Sequence, residues 1–130
     1  MQIQSMRITA TATQVAASDT ADQTLKTLAT AAEIARVPFA ATFHKAAGAA
    51  YSSATGDIQI TDEDEHVWFS IPAAGFLDSA LEKGRAIGAN PNAFTANNVS
   101  VKLHATGTLT AAATSPGLTI TIHYLELPLK

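Results

Sequence analysis

The stretch LTITIHYLEL, Leu118 to Leu127, opens as a strict alternation of large apolar and polar residues. Leu118, Ile120, Ile122 and Tyr124 share one face of the strand that this period predicts, and Thr119, Thr121 and His123 share the other. After Tyr124 the parity breaks. Leu125, Leu127 and Leu129 fall on the face that should meet water. A β-bulge near Tyr124 would return these leucines to the interior. Alternatively, another layer or subunit covers the strand end on its second face. On either reading the chain closes with a long strand, and the fold is β-rich.

Working outward, VSVKLHATGTLTAAATSPGLTITIHYLEL reads as two long strands joined as a C-terminal β-hairpin. Pro116-Gly117 fits the centre of a type II turn, with Gly supplying the positive φ. A tight turn there pairs Leu109 with Tyr124; a four-residue loop, 114–117, pairs it with Ile122. Both registers put Leu103, Leu109, Ile120 and Ile122 on one buried face. At the other end, residues 2–15 read as a first strand, and Met1, Ile3 and Met6 of the N-terminal MQIQSM pose the same question as the leucines. Ser18, Asp19 or Thr20 can cap a helix, and Thr20 with Gln23 has capping-box spacing. Leu25, Leu28 and Ala32 share a helical face, which predicts a short helix near residues 21–32.

Pro38 lies within VPFAATFHKA, where Phe39, Ala41 and Phe43 alternate, so this is a strand start or an edge strand. DIQI and HVWFSIP form a hairpin around the acidic connection TDEDE. Residues 76–81 suit one or two helical turns, and 84–98 form a long loop rich in Gly, Asn and Pro. The sum is one domain spanning residues 1–130. Its expected class is β-rich α+β, an antiparallel β-sandwich with one short helix near 21–32 and a C-terminal β-hairpin.

Composition narrows the function. Of the 130 residues, 47% are hydrophobic, but 27 are alanine, so the core is thin and layers suit it better than a thick globule. The 17 threonines, many at alternate positions, favour strands. Net charge is −3 and the eight Lys and Arg are scattered, so the basic footprint of a nucleic-acid binder is missing. There is no cysteine, which removes disulfides, thiol catalysis and thiolate metal sites. No apolar run approaches membrane-spanning length, and the N-terminus lacks the pattern of a secretory signal. The expectation is a soluble protein made in the cytoplasm, with no nucleic-acid or membrane partner.

The motifs point away from catalysis. His44, His66, His104 and His123 are never within five residues of one another, so the short ligand spacing of zinc sites is missing. The run TDEDEH, Thr61 to His66, lacks the Gly and Glu positions of a calcium loop and reads as a solvated turn. There is no G-x-S-x-G elbow, no G-x-G-x-x-G and no Walker loop. No catalytic residue, metal or cofactor is expected. Trp68 lies opposite Val67, Phe69 and Ile71, either beneath its own chain or in a subunit contact. Apolar termini suggest ends that are tied down, and assembly would do that.

The order of motifs resembles small structural proteins of tailed-bacteriophage particles, namely capsid decoration (cement) proteins and minor head or tail components. The residues that carry the resemblance are MRITATATQVAASDTADQTLKTLA, the segment Val37 to Phe39, the segment Phe69 to Gly75 and the closing strand. The resemblance implies a non-enzymatic virion protein, made in the host cytoplasm, that works by contact. Its partners would be sister copies in a homo-oligomer and a major capsid or other virion protein. The candidate contact residues are Ile3, Met6, Trp68, Leu125, Leu127 and Leu129. The alternative is a ligand- or carbohydrate-binding β-sandwich that uses Trp68 and the 84–98 loop.

Overall fold

A computed structural model describes residues 2–28, 34–90, 95–96 and 100–128. In chain order its elements are β1 (Gln2–Ala10), α1 (Ala12–Ala17), β2 (Gln23–Thr27), β3 (Ile34–Lys45), β4 (Ser53–Ala54), β5 (Asp57–Thr61), β6 (Val67–Pro72), β7 (Lys83–Gly88), β8 (Thr95–Ala96), β9 (Ser100–Ala105), β10 (Leu109–Thr110) and β11 (Leu118–Pro128). The larger sheet has the order β1-β11-β3-β7, with β8 also beside β3. The smaller has the order β2-β9-β5-β6, and β10 with β4 makes a two-stranded ribbon. The class is the expected β-rich α+β sandwich with one short helix.

Alternation builds the core. Met6 and Ile8 of β1 pair with Ile122 and Ile120 of β11, which pair in turn with Ala41 and Phe43 of β3. From the smaller sheet, Ile58, Ile60, Phe69, Ile71, Val101 and Leu103 join the same buried cluster. Each large side chain so buried contributes roughly 1.5–3 kcal/mol. The predicted hairpin of β5 and β6 forms, with Ile58 opposite Ile71 and Ile60 opposite Phe69.

Residues 21–28, expected in the short helix near 21–32, are not helical. The helix observed is Ala12–Ala17, overlapping the end of the stretch read as the first strand, and Thr11 and Gln14 cap it reciprocally: the Thr11 hydroxyl accepts from the Gln14 N–H, and the Gln14 carboxamide from the Thr11 N–H. Residues 23–27 are instead strand β2. A bulge between Thr24 and Lys26 turns both Leu25 and Leu28 toward the core, which imitates the three-residue spacing of a helix. The rest of the predicted helix, 29–32, lies outside the described residues.

The C-terminal β-hairpin is also corrected. β9 belongs to the smaller sheet, β10 pairs with β4, and β11 runs between β1 and β3. Leu103 and Ile120 are thus buried in one core from opposite layers. The turn forms at Ala112–Ser115, where the Ser115 N–H donates to the Ala112 carbonyl at 3.1 Å. Gly117 does not have positive φ. It is required because a Cβ there would collide with the Ala10 carbonyl oxygen.

Three smaller expectations change. Residues 84–88, read as the start of a loop, belong with Lys83 to β7 on the flank of β3. The helical turns expected at 76–81 are replaced by a turn at 74–78, with the N–H groups of Phe76 and Leu77 both donating to the Ala73 carbonyl. Finally, β3 is a central strand. At Pro38 its flank lies between the end of β7, opposite Ala40, and the start of β8, opposite Arg36, so a missing N–H is tolerated.

Candidate functional site

The parity break in β11 is real. β11 pairs with β1 from Leu118 to Glu126 without a register shift, so Leu125 and Leu127 share the outer face with Thr119, Thr121 and His123. A bulge does occur at His123/Tyr124, but the extra residue, Phe39, is in the partner strand β3. The bulge therefore leaves the leucines where they are and adds an aromatic ring beside them.

The result is an apolar corner on an otherwise polar, threonine-rich sheet face. Ile3 pairs with Leu125, Leu125 with Val37, and Leu127 with Ala35. Ile3 is 69% exposed and Phe39 41%. Val37, Leu125 and Leu127 are half-buried. The Phe39 ring tilts against His123, 6.2 Å between centroids. Beside it a shallow depression is floored by the small residues Ala40, Ala86 and Gly88.

Of the residues expected to make contacts, Ile3, Leu125 and Leu127 are brought together here. Leu129 lies outside the described residues. Met6 and Trp68 are withdrawn from the surface, because both are buried in the core of their own chain. Val37 and Phe39 were missed as site residues. Their signal was the VPF tripeptide, whose proline marks the break in β3.

The histidines do not converge. Each has its own partner: Glu82 for His44, Asp62 for His66, Asp22 for His104 and Ser5 for His123. Among the described residues no group of three or more His, Asp or Glu side chains is arranged to hold a metal ion. A polar hollow of about 180 Å³ lies against the outer face of the smaller sheet and is lined by Asp22, Gln59, Thr61, Glu65 and His104. The His104 Nδ1 sits 2.7 Å from the Asp22 carboxylate, so the pair is already mutually satisfied. Of the loop expected at 84–98, residues 84–88 belong to strand β7.

Two buried polar groups have structural partners. The Lys45 ammonium donates to the carbonyls of Ser79 at 2.8 Å and Leu81 at 2.7 Å. Burial, and secondarily the neighbouring Lys83, hold its pKa below the usual lysine value. The Tyr51 hydroxyl donates to the Pro116 carbonyl at 2.9 Å, and burial pushes its pKa up to about 12. No described helix is long and apolar enough to cross a membrane.

No family model matches the chain, and no curated protein matches it in sequence. One solved structure shares its fold, a chain described as Cyanophage Pam1 capsid asymmetric unit. The alignment covers 97% of this chain and 82% of that one, with a TM-score of 0.55 and 14% identity.

Proposed function

We propose that this chain is a non-enzymatic structural subunit of a tailed-bacteriophage particle, acting as a capsid decoration or stabilising protein. The apolar corner of Ile3, Val37, Phe39, Leu125 and Leu127 is the observation that carries the reading. Five apolar side chains grouped on a polar sheet face are a surface waiting for a partner. The fold shared with a phage capsid chain supports a virion setting. The partner would be a major capsid or other virion protein, met after synthesis in the host cytoplasm. Each copy would bury a modest area, and the symmetry of the shell would multiply the effect.

The test is co-sedimentation of the purified chain with particles assembled without it. Wild type should pellet with the particles and raise the temperature at which they release their contents. Phe39→Asp should weaken that association by about tenfold to a hundredfold, the loss of one well-packed apolar anchor. Its own melting should shift little, because the ring is 41% exposed. A chain that stays in the supernatant, or a variant that binds as well as wild type, would refute the reading.

A further inference from the structure

The free edges of the two sheets are not alike. An edge strand offers unpaired N–H and C=O groups to any passing strand, and proteins blunt it with charge, proline, bulges or short length. Among the described residues, three of the four edge strands β1, β7, β2 and β6 are blunted. β7 is six residues long, with Lys83, Arg85 and two glycines. β2 is five residues long and bulged between Thr24 and Lys26. β6 is bulged before Thr61's partner, Val67, and ends in Pro72. β1 has no proline and no bulge, and it is longer than the other three. Its nine residues, QIQSMRITA, pair with β11 in unbroken register and carry one charge, Arg7. Among the described residues no backbone hydrogen bond reaches β1 from outside its pairing with β11.

We propose that the open edge of β1 pairs antiparallel with β1 of a second copy, joining the two larger sheets across a two-fold axis at Met6. This deepens the contact reading above by naming a partner and an edge. The strand itself argues for a second copy. Antiparallel pairing keeps core faces together only when residues of like parity oppose each other. One register uses all nine residues: Gln2 opposite Ala10, and so Met6 opposite Met6. That register keeps parity, with Ile8 beside Gln4 toward the core and Ile3 beside Thr9 on the outer face. It also sets Arg7 opposite Ser5 and not opposite a second Arg7, avoiding a like-charge contact. Overlap, parity and charge are satisfied together by one strand meeting itself. The joined sheet would carry both apolar corners on one face, with the two Ile3 residues roughly 20 Å apart along the strand direction.

Because the chain has no cysteine, thiol cross-linking can test this without background. In the double variant Ser5→Cys, Arg7→Cys, directly opposed positions of the two copies carry thiols at a separation that suits a disulfide. In either single variant the thiols are diagonal and too distant, and within one strand positions 5 and 7 cannot reach each other. The double variant should form covalent dimer about tenfold faster than either single variant on mild oxidation. Ser5 also bonds His123, so light scattering of the unmodified chain provides the second reading and should give the mass of two copies. Monomer mass for the unmodified chain, or equal cross-linking in all variants, would overturn the proposal. The two readings separate cleanly. Particle binding that depends on Phe39 in a monomer would sink this inference alone. A β1-linked dimer that ignores particles would sink the virion reading alone.

Discussion

Asp62 shows how a run of acids can conceal a buried one. The stretch 62–65 reads as a solvated turn, yet Asp62 is 1% exposed. Its carboxylate accepts hydrogen bonds from the N–H groups of Asp64 and His66, both at 2.9 Å, and meets the His66 ring at the same distance. These bonds close the β5–β6 turn tightly enough to force Glu65 to a φ of 65°. A buried carboxylate with this many donors cannot be removed cheaply, because its partners are left without acceptors. Asp62→Ala should therefore cost about 2–4 kcal/mol, read as a lower denaturant midpoint at an unchanged slope. Lys45 follows the same logic at the opposite end of the charge scale. Its ammonium is fully buried and spans two carbonyls that lead into β7.

Among the elements, bulges decide what sequence can reveal. Gly117, at the entry to β11, lies against the Ala10 carbonyl at the end of β1. Gly117→Ala should cost about 1–3 kcal/mol by prising these two strand ends apart, seen as a lower Tm. The alternation in β5, β9 and the first half of β11 is legible because one face is buried and the other is less so. The β5–β6 hairpin is legible for the same reason. The helix was misplaced because the bulge in β2 spaces Leu25 and Leu28 as a helix would, whereas the true helix buries one large residue, Val15. The C-terminal hairpin misled because apolar alternation reports burial and says nothing of which layer a strand joins. At the site, Ile3, Leu125 and Leu127 follow from parity in unbroken strands. Phe39 does not, since its outward face depends on a bulge that only the pairing of β3 with β11 discloses.

The molecule as a whole is held by a few long-range clamps, and one of them titrates. Tyr51 ties the segment after β3 to Pro116, sixty-five positions away in sequence. Its folded pKa of about 12 lies above the ordinary value of 10.0, so between these pH values the folded chain holds a proton that the unfolded chain has lost. Stability should fall as pH rises through that window, by roughly 1.4 kcal/mol per pH unit from this group. Tyr124, also raised by burial, adds in the same direction, while Lys45, lowered, contributes a rise with pH just below 10.5. Urea unfolding of Tyr51→Phe should show a flatter alkaline profile than wild type; an identical slope would contradict the assignment. The contrast between β1 and the three blunted edges bears on how copies of this chain can accumulate. Two copies closed on each other through β1, as proposed, would have no β1 edge left for a third, so that linkage by itself would stop at pairs.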